Sequence, residues 1–287
     1  MTGTALALVI GAAVLHSIWN ALTKRAQNQL AFLWSSVSLA TLLLGPFALW
    51  PRNQGLPPGA APFVVATIFL HAFYFFALGR AYRWGEFSLV YPIARGLGVM
   101  LVPLLALPLL DERLSPLGTA GVVLVVLGII ALHLTPGVVS AVASPSRSVG
   151  AGTGWALLTG LTVAAYSLVD KAGVARLHPL PYITLLGLGS SLVLLPAILV
   201  QRDALRREWA MNWRAILVAS AMNLTAYLLV LFAFRLSKTG YVVAARELSI
   251  VFSAIIGSLW LGEGRLGPRL LGAAVILAGV ACVALAR

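Results

Sequence analysis

The sequence predicts an all-α membrane protein of ten transmembrane helices, arranged as two inverted five-helix repeats around a central cavity. Three observations lead to this prediction: the composition, the length of the apolar segments and the similarity of the two halves of the chain. Of the 287 residues, 60% are hydrophobic and only 10% are charged, and the mean hydropathy is +0.97. A soluble domain carries about 25% charged residues, so lipid surrounds most of this chain.

The charge balance is strongly basic, with 20 Lys and Arg against 8 Asp and Glu and a formal net charge of +12. Nucleic-acid-binding proteins share such a balance, but these cations separate long apolar segments, as they do in the loops of membrane proteins. We therefore expect a small-molecule substrate and the lipid bilayer as partners, and no nucleic acid. The single cysteine, Cys282, excludes an intrachain disulfide and a cysteine metal site. We expect neither a metal nor a cofactor.

Eight uncharged segments are close to or above the about 20 residues that a helix needs to cross a ~30 Å hydrocarbon core. They comprise residues 2–23, 26–51, 53–79, 114–146, 148–169, 177–201, 215–234 and 270–286. Two further segments, 87–110 and 239–262, are interrupted by Arg95 and by Arg246 with Glu247. Because these segments are apolar on all sides, without two-residue alternation, they predict helices.

The second half of the chain repeats the first. Shifts of 151 residues, or of 147 residues near the start of each half, superpose Arg95 on Arg246, Glu112 on Glu263, Gly121 on Gly272, Gly128 on Gly279 and Lys24 on Lys171. We expect a first repeat over 1–136, a linker over 137–151 and a second repeat over 152–287. Five spans per repeat insert the second copy in the opposite sense, and inverted repeats place a substrate site near the bilayer midplane.

Each half ends in an acidic loop residue and a glycine-spaced helix, Glu112 with Leu117-Gly118 to Gly128 and Glu263 with Leu271-Gly272-Ala273-Ala274 to Gly279. In these features the chain resembles the drug/metabolite transporter superfamily, specifically its EamA-type branch. The segment Tyr91-Pro92-Ile93-Ala94-Arg95 most resembles the aromatic amino-acid exporters of that branch, the YddG-like proteins.

The resemblance implies a ten-helix basket in the cell (inner) membrane, with a central cavity that closes alternately at either end. The implied function is export of small neutral metabolites by alternating access, above all of aromatic or large hydrophobic amino acids. An EamA-type exporter of another small metabolite or of a lipophilic drug is the alternative. The sequence has no H-E-x-x-H motif and no pair of aspartates at helical spacing, so we expect no enzyme.

Polar and aromatic side chains within the spans tend to face a cavity or a protein neighbour, because lipid cannot satisfy them. Such residues recur at helical spacing in the first, third, sixth and eighth segments. The predicted substrate-binding residues are His71, Tyr74, Tyr91, Trp155, Tyr166, Asn223, Tyr227 and Asn20.

Arg95 and Arg246 lie within spans, where an arginine costs about 2.5–3.5 kcal/mol even on the lenient insertion scale. They therefore cannot face lipid. Adjacent residues of a helix point about 100° apart, so Glu247 is a poor partner for Arg246. Two functions compete for the arginines: a clamp on a substrate carboxylate, or a latch that closes each end of the basket in turn. A purely structural buried pair is the third possibility.

The acidic residues limit how transport is driven. The first helix has no carboxylate, Glu247 alone lies well inside a predicted span, and Asp170 lies at the end of one. This pattern favours facilitated movement, although His16, His71 or Glu247 could still carry a proton.

Glycines recur at a spacing of seven residues in the last helix of each half and predict close helix contacts there. The contacts lie either between the halves or between two chains. We therefore expect a monomer or a weak homodimer.

Overall fold

The computed structural model describes residues 1–49, 56–84, 87–133, 147–252, 255 and 266–286, and all regular structure within them is helical. The helices are α1 Gly3–Arg25, α2 Gln29–Leu49, α3 Ala61–Trp84, α4 Phe87–Leu110, α5 Pro116–His133, α6 Arg147–Val174, α7 Pro179–Leu199, α8 Arg202–Leu236, α9 Thr239–Arg246 and α10 Leu266–Leu285. Most of the predicted linker, 137–151, lies outside the described residues, and α6 begins at Arg147 within it.

Seven of these helices are long and apolar enough to cross a membrane, namely α1 to α4 and α6 to α8. In α5 and α10 the described apolar stretches are shorter, Pro116–Ala131 and Leu271–Leu285. The chain is thus an all-helical, multi-pass membrane protein. Ten spans in inverted repeats stay a prediction.

The ninth helix differs from the continuous segment that the sequence predicts over 239–262. Helix α9 ends at Arg246, Glu247 forms a turn, and helical backbone resumes at 248–252. The amide of Glu247 donates to the carbonyl of Ala244 at 3.2 Å, and the amide of Ile250 donates to the carbonyl of Glu247 at 2.9 Å. These short-range bonds tighten the turn. The charged pair at 246 and 247 therefore lies at a helix break.

Helix α8 also differs, because it includes the cationic segment that the sequence assigns to a loop before residue 215. It begins at Arg202 and is kinked at Asn212, where φ is −122° and ψ is 18°. The buried carboxylate of Glu208 anchors this segment by accepting hydrogen bonds from the Asn28 amide at 2.7 Å and the Asn212 side chain at 2.8 Å. A buried acceptor with two donors holds the helix where charge alone predicts a loop.

The glycines of α5 and α10 bring the two halves into backbone contact. A Cβ atom on Gly121 would lie 2.7 Å from the carbonyl oxygen of Gly279, and one on Gly128 would lie 2.9 Å from that of Gly272. Such distances leave no room for a side chain. The predicted glycine contact therefore exists within one chain, between its halves.

The other helix contacts are symmetric under exchange of the halves. Helix α3 packs on α6, and α8 packs on α1. These two contacts correspond to each other, because α6 is the repeat equivalent of α1 and α8 is that of α3. Helix α2 packs on its own equivalent, α7. This is the packing expected of two copies of one unit placed face to face, and it leaves a space between them.

The α5–α10 contact gives a stability prediction. Gly128→Ala places a Cβ 2.7 Å from the backbone nitrogen of Ile276, so we expect the free energy of unfolding to fall by about 1–3 kcal/mol, although alanine favours helix. The matched control is Gly154→Ala in α6, where a Cβ meets nothing within 4 Å. Thermal unfolding in detergent measures both variants. Equal stability of the two would contradict the contact.

Candidate ligand cavity

A cavity of about 50 Å³ lies between the two halves of the chain. Helices α1, α2 and α3 of the first half and α6, α7, α8 and α9 of the second contribute to its wall. Its polar and aromatic lining residues are His16, Trp19, Thr41, His71, Tyr74, Phe75, Tyr166, Asn223, Tyr227 and Arg246. The remaining lining residues are aliphatic or glycine.

One wall of the cavity is a cluster of rings centred on His71 of α3. Its ring centroid lies 4.3 Å from that of Tyr166 and 5.3 Å from that of Tyr227. Tyr74 meets Tyr166 at 5.5 Å with the planes nearly perpendicular. Edge-to-face contacts of this kind hold the rings in defined orientations. The wall therefore offers a planar ligand group both ring faces and ring edges.

The cavity also collects hydrogen-bond donors that lack acceptors. Among the described residues, the buried Nε and Nη1 of Arg246, Nδ2 of Asn223 and Nε1 of Trp19 have no hydrogen-bond partner. The Arg246 side chain belongs to a residue only 3% exposed. Buried donors normally have partners, because an unpaired one costs about 1–3 kcal/mol and a charged one more. The cavity is therefore complementary to an acceptor, and above all to an anionic one.

The two span arginines have different surroundings. Arg95 of α4 donates from Nε to the Glu247 carboxylate at 3.0 Å and from Nη2 to the Ser249 hydroxyl at 3.2 Å. It does not line the cavity. Arg246 lines the cavity and has no carboxylate within 4.0 Å in the described part of the chain. The structural pair and the candidate clamp are thus separate residues.

The repeat explains this difference. The 151-residue shift that superposes Arg95 on Arg246 places Gly96 in the position of Glu247. The first half therefore lacks the acid that would pair with Arg246 as Glu247 pairs with Arg95. A latch in which the two arginines exchange equivalent partners requires an acid at position 96, so the repeat disfavours that hypothesis and favours the clamp.

A buried carboxylate lies behind the aromatic wall. Asp170 of α6 is fully buried and accepts hydrogen bonds from Thr67 at 2.5 Å, from Tyr182 at 2.7 Å and from Tyr227. The sequence places Asp170 at a span end, but α6 continues to Val174 and its neighbours cover the carboxylate.

Two acidic clusters tie the halves together on either side of the cavity. Glu112, after α4, accepts from the amide of Thr239 at 2.6 Å and lies 3.4 Å from the Lys171 ammonium. Glu208 near the start of α8 bonds the connection between α1 and α2. Because Glu208 lies near the start of α8 and Thr239 follows its end, the clusters lie towards opposite ends of that helix. The cavity residues Asn223 and Tyr227 lie between them.

The structure brings together six of the ten residues singled out from the sequence. They are His71, Tyr74, Tyr166, Asn223, Tyr227 and Arg246. Outside the cavity, Asn20 donates to the carbonyl of His16 at 2.7 Å, and Trp155 meets the Phe76 ring at 5.8 Å and the Arg80 guanidinium at 5.8 Å. The side chain of Tyr91 lies outside the described part of the chain.

The site residues predicted from the sequence include neither Trp19, which lines the cavity, nor Asp170, which is buried behind the cavity wall. The spacing contains a signal for Asp170, because the polar and aromatic stripe of α6 ends at Tyr166 and one further step of four residues reaches it. A signal for Trp19 exists as well, because it lies three residues after His16 and four before Thr23, and the 147-residue offset superposes it on Tyr166.

Nothing in the described residues groups three or more His, Cys, Asp or Glu side chains as a metal site would require. The chemistry that the cavity supports is recognition: donors for an acceptor at one side, and rings for an apolar body at the other.

Comparison with known proteins agrees with this architecture. The model of the EamA-like transporter family matches residues 3–134 and again residues 150–285. The starts of the two matches are 147 residues apart and their ends are 151 residues apart. These are the two offsets that superpose the halves. The match covers the family as a whole and does not single out the YddG-like aromatic amino-acid exporters.

A protein of known crystal structure superposes on 99% of this chain and 98% of its own with a TM-score of 0.74. The two sequences are 15% identical, so the likeness concerns the fold. No curated protein sequence matches this chain.

The contrast between the arginines predicts opposite effects on stability. Arg95→Met leaves Glu247 buried without its partner, and we expect a loss of about 3–5 kcal/mol in the free energy of unfolding. Arg246→Met removes an uncompensated buried charge, and the free energy of unfolding should stay unchanged or rise.

Unfolding in detergent measures both variants. Arg176→Met is the control, because Arg176 is exposed and does not line the cavity. An equal loss of stability in Arg95→Met and Arg246→Met would show that both arginines are structural.

Proposed function

This chain belongs to the EamA-like transporter family, and we propose that it exports aromatic and large hydrophobic amino acids across the cell (inner) membrane by alternating access. The observation that carries the proposal is the combination, in one cavity between the halves, of unpartnered donors with an aromatic wall. An amino acid of this class has the two complementary parts, a carboxylate and a planar or bulky apolar side chain.

The donors favour a carboxylate over other anions. A guanidinium binds a carboxylate through two parallel hydrogen bonds, and this geometry adds specificity to charge attraction. Arg246 is the only formally charged residue among the described lining of the cavity, so a single negative charge balances it. A phosphate group would carry up to two negative charges and leave one uncompensated. Asn223 and Trp19 add neutral donors that suit the remaining lone pairs.

The ring cluster favours aromatic side chains. His71, Tyr74, Tyr166 and Tyr227 lie within ring-contact distance of one another in the wall. Aromatic pairs contribute about 0.5–1.5 kcal/mol beyond the apolar area that they bury. A tryptophan, tyrosine or phenylalanine side chain therefore gains more on this wall than an aliphatic chain of equal area.

The size of the cavity supports alternating access. Ligand pockets commonly have volumes of about 300–1,000 Å³, whereas this cavity has about 50 Å³ and so holds a few water molecules. An amino acid enters only if helices separate. The Glu112–Lys171 link closes one end, and the repeat offsets place Lys24 and Glu263 in the equivalent positions of the other half. Equivalent links at opposite ends allow one to form while the other breaks.

A lipophilic drug or another metabolite is the alternative substrate. A cationic drug would place a second positive charge beside the Arg246 guanidinium without bringing the carboxylate that pairs with it. A neutral drug would leave the Arg246 guanidinium without an acceptor. The unpartnered donors therefore favour the amino acid.

Reconstituted transport tests the proposal. We expect protein in liposomes to exchange labelled L-tryptophan, L-phenylalanine or L-tyrosine faster than glutamate or lysine. Tryptamine, which lacks the carboxylate, should be a poor substrate of the unmodified protein. Arg246→Met should lower tryptophan exchange about tenfold or more, the change that 1.4 kcal/mol gives, and should remove the preference for tryptophan over tryptamine.

The exposed Arg176→Met variant is the control and should retain both the rate and the preference. Faster exchange of glutamate or lysine, with none of the aromatic amino acids, would refute the proposed substrate. An unchanged preference for tryptophan in Arg246→Met would refute the assignment of the clamp.

A further inference from the structure

Asp170 is a buried carboxylate that forms no ion pair with a lysine or arginine among the described residues. Three hydroxyl groups, from Thr67 of α3, Tyr182 of α7 and Tyr227 of α8, donate to its carboxylate. In the part of the chain that the structure describes, no lysine or arginine lies within 4.0 Å of it. The following residue, Lys171, turns away and donates to the carbonyl of Ser237 at 2.8 Å. A buried negative charge is costly unless a cation compensates it.

The nearest group that can become a cation is His71. Its Nε2 lies 3.9 Å from Oδ2 of Asp170. While Asp170 is ionised, the single Thr67 hydroxyl hydrogen goes to that carboxylate, so Thr67 cannot also donate to Nδ1 of His71 at 3.0 Å. Nδ1 must therefore carry a hydrogen itself, and it lies 3.1 Å from the Thr67 carbonyl. The nitrogen left to gain or lose a proton is Nε2, which faces Asp170.

The other groups around His71 are mostly neutral. The titratable and charged groups on the helices around it are Tyr74 of α3 itself, Tyr166 and Asp170 of α6, Tyr227 of α8, His16 of α1, Arg246 of α9 and, behind Asp170, Tyr182 of α7. Arg246 opposes a positive charge on His71, whereas Asp170 favours one at 3.9 Å. Asp170 thus stabilises the protonated form of His71, and Arg246 across the cavity destabilises that form.

We propose that His71 and Asp170 form a proton site that alternates with the ammonium group of the amino acid, so that this protein exchanges protons for substrate. The inference rests on the proposed function, since it gives the binding site for the ammonium group of the same amino acid. His71 and Tyr227 both line the cavity and both contact Asp170, so the site and the cavity share a wall.

Charge balance explains the alternation. Arg95 and Glu247 neutralise each other, which leaves Arg246 and Asp170 as separated opposite charges on two sides of one region. A zwitterion complements both, with its carboxylate at Arg246 and its ammonium towards His71 and Asp170. When no amino acid is bound, a proton on Nε2 of His71 compensates the negative charge of Asp170. The ammonium repels that proton, so the two bind in turn. A proton gradient directed into the cell then drives the amino acid outward.

Liposomes with an imposed pH gradient test the exchange. With the membrane potential clamped, we expect labelled L-tryptophan to accumulate in liposomes that are acidic inside, and not in liposomes that are alkaline inside. Asp170→Asn keeps the hydrogen-bonding shape, and Asp170 does not line the cavity. This variant should lose the accumulation, and its rate of exchange of labelled for unlabelled tryptophan at equal pH should no longer change with that pH. Asp203→Asn, at an exposed position in the first turn of α8, is the control and should keep both the accumulation and the pH dependence of exchange.

A substrate-free measurement separates failure of this inference from failure of the proposed function. In protein labelled with ¹³C-histidine, the signal lost in His71→Gln should change with pH between about 5 and about 9, and Asp170→Asn should shift its midpoint. Tryptophan exchange that ignores the pH gradient would overturn the proton site while the proposed function stands. If tryptophan is not exchanged at all, the substrate is wrong, and a His71 signal that does not respond to pH overturns the proton site as well.

Discussion

The ion pair between Arg95 and Glu247 determines how the centre of the molecule is charged. By binding the one acid beside the helix break, Arg95 leaves the Arg246 guanidinium facing the cavity without a counter-ion. Glu247 is therefore committed to Arg95, and Arg246 keeps a positive charge at the cavity wall. The end of α9 is where this division occurs, because the two neighbouring charged side chains there go to different places, Arg246 to the cavity and Glu247 to Arg95.

Packing of the halves fixes the frame in which these charges lie. At the α5–α10 contact the backbones touch through Gly121 and Gly128, which permits little relative movement there. Elsewhere the halves meet through the packed helix pairs α3–α6 and α1–α8 and through polar links near the ends of α8, such as Glu112–Lys171. The proposed alternating access would require these contacts, and not the glycine contact, to separate at one end at a time.

Sequence alone predicted the helical class, the duplication and six of the cavity residues, because hydropathy, repeat offsets and helical spacing are all local or periodic signals. It did not predict that Arg95 and not Arg246 pairs with Glu247, because this pairing joins residues 152 positions apart in the sequence. The sequence places Asp170 at a span end because a charge interrupts the apolar segment there, whereas in the structure three hydroxyl groups donate to its buried carboxylate. The break at Glu247 likewise follows from tertiary partners, and no proline or glycine marks it.

We infer that Arg246 binds ligands because position 96 lacks the acid that its repeat equivalent, position 247, has. Gly96→Glu tests it most directly, with Gly96→Gln as a control of the same size, since a Cβ at Gly96 meets only Ile129 at 3.7 Å. L-Tryptophan binding to each purified variant is the measurement. We expect the glutamate to neutralise Arg246 and to weaken binding about tenfold or more relative to the glutamine variant. Equal binding by the two variants would contradict it.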